Sequence, residues 1–167
     1  MSPNVLNRPV APADLPAIAK LHARVFGPGR FTRTAYRVRE GAPPISRYCR
    51  LAFLDGRMVA AVRFTDIVIG GAGRALLLGP LAVDPDFAGK GFGRQLIAEA
   101  LESAKADGVR LVVLVGDEPY YGRFGFRPVP PGQITLPGPV DARRLLAAEL
   151  QPGALAGYRG MVVAQRA

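Results

Sequence analysis

The sequence predicts one mixed α/β domain, and three features carry that expectation. Residues 48–83 read as a meander of apolar strands on short turns, the layout of an antiparallel sheet. A glycine-rich turn then changes the pattern from strand to amphipathic helix, and a fully apolar strand follows, the order of a parallel crossover. With 167 residues the chain is of single-domain size.

Taken in order, Val5–Val10 reads as a short first strand, closed by Pro9 and Pro12. Asp14 is placed to cap a helix reaching Phe26, with Leu15, Ile18, Ala19, Leu21, His22, Val25 and Phe26 on its apolar face. Gly27-Pro28-Gly29 ends that helix, and residues 32–39 form a weaker second one, stopped by Gly41-Ala42-Pro43-Pro44. Tyr48–Leu54 and Met58–Ile69 are strands joined at Asp55-Gly56, a strong tight-turn pair. Gly70-Gly71-Ala72-Gly73 turns the chain again, into a strand over Ala75–Val83. Phe92, Leu96, Ile97, Ala100, Leu101 and Ala104 recur at helical spacing, and Gly108 closes that helix. Arg110–Gly116 reads as a buried strand, residues 119–124 as a short helix, and Phe126–Val129 as the opening of another strand. Residues 128–140, rich in Pro and Gly, read as loop. Asp141 is placed to cap a helix through Leu150, and Tyr158–Gln165 is the last strand.

Composition narrows the function classes. Apolar residues make up 49% and charged residues 21%, which is globular rather than disordered. No apolar run approaches the roughly 20 residues that span a bilayer, and Met1-Ser2-Pro3-Asn4 lacks the basic-then-apolar pattern of a leader. A single cysteine, Cys49, and a single histidine, His22, make neither a disulfide framework nor a Cys/His zinc site. The expectation is a cytoplasmic protein with no membrane partner and no metal. The net charge of +9 suits either nucleic acid or a polyanionic small molecule. The basic residues are spread along the chain with no run longer than Arg143-Arg144, and the usual nucleic-acid signatures are absent, which favours the small molecule.

The strongest local signal is Ala88-Gly89-Lys90-Gly91-Phe92-Gly93-Arg94, following Leu81-Ala82-Val83-Asp84-Pro85. A strand, a glycine turn and a helix N-terminus gather free backbone N–H groups and two cations around one small space, which suits a phosphate. The spacing is not the G-x-G-x-x-G of dinucleotide binding, and no Ser or Thr follows Lys90 as a phosphate-loop NTPase requires. No G-x-S-x-G nucleophile motif occurs.

This stretch resembles the pyrophosphate loop of the GNAT family of acetyl-CoA-dependent N-acetyltransferases, [Q/R]-x-x-G-x-[G/A] after a V-x-P strand end. One departure stands out: Ala88 occupies the place of Gln or Arg. The backbone donors do most of the binding, so the resemblance survives the change. Tyr121-Gly122-Arg123-Phe124-Gly125-Phe126 matches the family's Y-x-x-x-G-F, and Ala147–Gly153 resembles a bacterial subgroup. The resemblance implies a mixed, mostly antiparallel sheet of about six or seven strands, flanked by helices, with a parallel pair splayed around the co-substrate. It implies acetyl-CoA or coenzyme A held by Leu81, Ala82, Val83, the loop Ala88, Gly89, Lys90, Gly91, Phe92, Gly93 and Arg94, and by Tyr121 and Phe124. Homodimers are common in the family.

The implied reaction is direct acetyl transfer to a primary amine of a small molecule or peptide. By resemblance Tyr121 is the proton donor to the departing sulfur, with Tyr120 as the neighbour able to substitute. A backbone N–H near Val83 is the family-based oxyanion donor. For the general base the residues leave alternatives open. Asp117, followed by Glu118, is the catalytic candidate, but Asp117 equally suits the cap of the short helix; Asp66 is a weaker candidate. His22 reads as a packed residue of the first helix, and Cys49 as a small buried apolar one rather than a nucleophile. The acceptor pocket falls to the segments poorest in motifs, about 24–46 and 128–140. A non-catalytic acyl-CoA sensor would use the same loop, and acetyl-CoA stabilisation without turnover would mark it.

Overall fold

A computed structural model describes residues 4–27 and 34–166. Its frame is a nine-stranded sheet. The strands are β1 (Val5–Pro9), β2 (Arg50–Leu54), β3 (Arg57–Ile69), β4 (Ala72–Val83), β5 (Leu111–Val115), β6 (Arg127–Pro128), β7 (Ile134–Thr135), β8 (Leu145–Glu149) and β9 (Gly160–Ala164). The helices are α1 (Leu15–Phe26), α2 (Thr34–Arg39), α3 (Phe92–Ala106) and α4 (Glu118–Tyr121). The main path runs β1-β2-β3-β4-β5-β8-β6, all antiparallel except β4 with β5; β9 pairs the far end of β3 and carries β7 parallel to it. The surplus over the expected six or seven strands is the two-residue pair β6 and β7.

Turn chemistry and burial explain the meander. Asp55 and Gly56 have φ of 48° and 83°, the left-handed pair that a two-residue hairpin of this twist requires. Both faces of the sheet are covered, so β4 and β5 carry unbroken apolar runs instead of alternating ones. Leu76, Leu78, Val112 and Leu114 pack against Leu96, Ile97, Ala100 and Ala104 of α3. Ala75, Leu77, Leu111 and Val113 face the other way, onto Val38, Ile134, Tyr158 and Val162. Helix α1 covers a third cluster, where Leu21 meets Leu51, Ala61 and Ala82. The C-terminus of α3 ends in a Schellman motif, with Gly108 at φ 89°, its N–H on the Lys105 carbonyl and the Val109 N–H on the Ala104 carbonyl.

Two sequence expectations need correction. Residues 141–150 are not a helix: Asp141 caps only a single tight turn over Ala142–Arg144, its carboxylate accepting the Arg143 N–H at 2.9 Å. The following Leu145–Glu149 is strand β8, inserted between β5 and β6. Leu and Ala favour helix intrinsically, but the free edge of the buried strand β5 captures their backbone. Asp14 does not cap α1 through its side chain. Its carboxylate is gripped by Arg8 at 2.8 Å and accepts the Ala11 N–H at 2.8 Å, which closes the turn ahead of the helix. Residues 32 and 33 of the expected second helix lie outside the described residues; α2 begins at Thr34.

Candidate active site

The site begins where two strands part. β4 and β5 pair only through Ala75–Leu77 and Leu111–Val113, and then separate. The divergence coincides with a bulge: Val62 and Phe64 of β3 face Leu81 and Leu78 of β4, so β4 carries one extra residue across that interval. The extra length falls at Gly79-Pro80, joined by a cis peptide. Gly79 has φ 127°, and a Cβ on it would stand 2.6 Å from the Arg39 Nη2. Past the bulge, the Asp84 N–H donates to the Val59 carbonyl of β3 at 2.8 Å. The alternation of an antiparallel ladder then turns Ala82 towards β3, and the N–H and C=O groups of Leu81 and Val83 towards the gap.

The glycine turn closes one end of that gap. Asp84, buried at the strand end, accepts from Arg57 at 3.0 Å and Arg24 at 3.2 Å, and from the Asp86 N–H at 2.9 Å. These bonds hold its carboxyl below the usual range, the Asp86 bond foremost. The turn Pro85–Phe87 follows, and the Ala88 N–H is taken by the Pro85 carbonyl at 3.4 Å. From Gly89 to Arg94 no backbone N–H has a partner among the described residues; the first bond of α3 is Gln95 N–H to the Gly91 carbonyl, 3.0 Å. Gly91, the residue before α3, sits at φ 86°, where a side chain is disfavoured. A Cβ on Gly93 would stand 3.1 Å from Val83 Cγ2 and 3.4 Å from both Leu81 Cδ2 and the Tyr120 hydroxyl. Glycine therefore lets the N-terminus of α3 press against the strand end. Free donors, a helix N-terminus and the exposed cations Lys90 and Arg94 make a cradle that fits a pyrophosphate.

Tyr121 stands across the gap. It lines a cavity of about 660 Å3, together with Leu78–Leu81 of β4, Val115 of β5 and the following Gly116. Its ring packs edge-on against Tyr120 at 4.8 Å and Phe126 at 6.0 Å, and its hydroxyl has no hydrogen-bond partner among the described residues. Its pKa is pushed up to about 12, first by burial and then by Tyr120 and Asp117, with Arg144 opposing. The group therefore stays a proton donor through the neutral range. Tyr120 is turned elsewhere, its hydroxyl beside Gly93 and its ring under the Arg123 guanidinium at 5.1 Å. Phe124 packs against Tyr120 at 6.2 Å on the α3 side of the core.

The remaining walls come from distant segments. His22 of α1 lines the cavity and stacks at 5.8 Å on Phe26, so it is a wall residue rather than only a packed one. The lining also includes Tyr36 and the charged residues Arg39, Arg63, Asp141 and Arg144, none of which carried a motif. Asp117 is exposed at the entrance to α4, paired with Arg144 at 3.2 Å; its carboxylate makes no cap bond, and its carbonyl accepts the Tyr120 and Tyr121 N–H groups. Asp66 lines a separate small pocket with Thr65 and Gln165. Cys49 is buried, its Sγ accepting the Phe64 N–H at 3.4 Å. Among the described residues no cluster of His, Cys, Asp and Glu is placed to hold a metal, and no helix is long and apolar enough to cross a membrane.

A family model for the acetyltransferase (GNAT) domain matches residues 7–129, from β1 through the glycine turn to the residue after β6. The chain belongs to the GNAT family. It is 28% identical over 163 residues to the N-acetyltransferase YhbS of Escherichia coli K12, covering 95% of each chain. Part of YjhQ from the same organism aligns at 29% identity, over 70% of this chain and 66% of that protein. The crystal structure of E. coli YhbS in complex with CoA superposes with a TM-score of 0.82, covering 99% of this chain and 92% of that one. A GNAT acetyltransferase from Brucella melitensis in complex with acetyl-CoA superposes at 0.63 with 27% identity, over 90% of this chain and 97% of that one. The mixed sheet, whose main path holds one parallel pair, flanked by helices, matches the GNAT architecture of these structures.

Proposed function

We propose that the protein is an acyltransferase that moves an acetyl group directly from acetyl-CoA to a primary amine. The observation that carries this reading is the row of unpartnered N–H groups from Gly89 to Arg94, set where Gly93 abuts Leu81 and Val83 at the end of β4, beside the cavity that Leu81 and Tyr121 line. Acetyl-CoA supplies an activated thioester carbon when bound. Gly89–Arg94, with the α3 N-terminus, hold the pyrophosphate through backbone donors, and Lys90 and Arg94 add charge. Ala88 offers no side-chain donor there, so the backbone carries more of the grip. Leu81 and Val83 present their gap-facing N–H and C=O groups to the pantetheine arm, and a donor at this strand end also suits the acyl oxygen. Ala82, Phe92 and Phe124 back this wall.

Tyr121 gives its proton to the departing sulfur. Its raised pKa keeps that proton in place. Asp117, exposed outside the cavity lining and paired with Arg144, is assigned as the group that receives the amine's proton through water. Holding donor and acceptor in one cavity supplies the rest of the rate. A cytoplasmic setting is part of this proposal.

Tyr121→Phe is the decisive variant. With amines offered and released thiol followed, turnover falls about a hundredfold or more, while acetyl-CoA affinity by calorimetry stays the same. Unchanged turnover removes Tyr121 from the mechanism. Stabilisation by acetyl-CoA without thiol release across every amine class would leave a sensor rather than an enzyme.

A further inference from the structure

Arg63 projects from the middle of β3 into the acceptor half of the cavity, and it is half-buried. Its Nη2 donates to the Pro43 carbonyl at 3.1 Å. Its Nε is fully occluded and has no partner among the described residues, and no carboxylate lies within ion-pair distance of it there. By contrast the part-buried Arg50, whose Nε is likewise without a partner among the described residues, has a carboxylate beside it, that of Glu99 at 3.4 Å. A guanidinium withdrawn from water without a counter-ion is a standing cost that an incoming anion removes. Burial depresses the Arg63 pKa, with Cys49 and Tyr36 opposing.

The surroundings have the same sign. The Arg39 guanidinium lies over Gly79, on the same wall, and Arg144, near the mouth, is paired with Asp117 at 3.2 Å. Asp141, the carboxylate on this lining, is already held by Arg143 at 3.3 Å. The cations of the glycine turn, Lys90 and Arg94, lie outside this lining, so Arg39, Arg63 and Arg144 are not part of the pyrophosphate cradle. A smaller cavity of about 200 Å3, walled by Leu15, Ile18 and Val62, shares His22 and Arg63 with the main one and offers apolar room beside the guanidinium.

We infer that the acceptor is an amine that also carries an anionic group, a carboxylate or a phosphate, and that Arg63 is the side chain that reads that group. This rests on the acetyltransferase reading above. A cavity of this sign selects against polycationic amines and against neutral amines of the same shape, because neither relieves the unmatched guanidinium.

The test uses matched pairs with acetyl-CoA and the full chain: L-leucine against L-leucinamide, O-phosphoethanolamine against ethanolamine, and spermidine as the polycation. The expected result is a preference of tenfold or more in kcat/KM for the anionic member of at least one pair, and the pair that shows it distinguishes carboxylate from phosphate. Arg63→Gln then raises the acceptor KM tenfold to a hundredfold with kcat and acetyl-CoA affinity retained, and Arg63→Lys restores part of the preference. Calorimetric titration of the preferred amine into CoA-loaded protein gives a readout independent of turnover, and binding is lost in Arg63→Gln. Melting temperature and acetyl-CoA binding confirm that each variant folds. Equal use of neutral partners, preference for spermidine, a preference that survives Arg63→Gln, or silence towards every anionic amine each overturns the inference. Failure to bind acetyl-CoA at all would instead overturn the functional reading beneath it.

Discussion

The ring of Tyr121 lies so close over Gly116 that a Cβ on the glycine would stand 2.6 Å from the tyrosine Cε2 and 3.0 Å from its Cδ2. The end of β5 and the residue assigned as proton donor are thus one packed unit, and the absence of a side chain at 116 sets where the hydroxyl points. The Gly116 N–H, bound to the Arg144 carbonyl at 2.9 Å, ties that unit to the turn before β8.

Gly116→Ala should therefore displace the ring without touching the glycine turn. The expected loss in kcat is about tenfold to a hundredfold from misplacement alone, with overpacking costing about 1–3 kcal/mol of stability. Acetyl-CoA affinity stays unchanged. Steady-state kinetics with calorimetry check this, and equal kcat in the two proteins would show that the ring position is not set here.

Gly91→Ala tests the cradle at the other end of the gap. Gly91 has φ 86°, and the nearest atom to an added Cβ is Arg94 Nη2 at 3.8 Å, so conformation rather than crowding opposes the change. The left-handed region costs about 1–2 kcal/mol for a residue with a side chain. If the loop relaxes to escape that strain, the N–H groups lose their common aim. CoA affinity measured by titration should fall about tenfold, equivalent to about 1.4 kcal/mol. An unchanged dissociation constant would mean the donors are not held by this residue.

The pH dependence follows from buried phenols. Tyr121 and Tyr48 are both pushed up to about 12, chiefly by burial, and Tyr48 also by its hydroxyl's bond to Asp107. An unfolded chain titrates its tyrosines near 10. Between about pH 10 and 12 the folded protein holds more protons than the unfolded one, so stability falls as pH rises through that window. Below it both states are protonated and the contribution is constant. Thermal melts should show a falling melting temperature above pH 10, less steep in Tyr121→Phe. Identical slopes would contradict the assignment. For the same reason Tyr121 contributes no alkaline limb to turnover below about pH 10.

Local pattern alone was enough for much of this molecule. The Asp55-Gly56 hairpin, helix α3 with its Gly108 terminus, the apolar run of β5 and the glycine turn are each specified by neighbours within one element. Their cause is backbone conformation and period, which are written along the chain. The same is true of the Tyr121 motif, although the resemblance rather than the residues assigned its role.

Helix α1 marks the boundary. Its apolar face was read correctly, yet His22 on that face borders a cavity, because the opposite wall comes from α2 and β4. Strand β8 lies beyond the boundary: Leu145-Leu146-Ala147-Ala148-Glu149 has helical preference, and only the open edge of β5 makes it a strand. The charged wall of the cavity lies furthest beyond it. Arg39 and Arg144 are more than a hundred positions apart in sequence, with Arg63 and Asp141 between them, and what joins the four is the splay of β4 from β5. Sequence period reports on one element at a time. A cavity's charge is a sum over elements that only packing brings together.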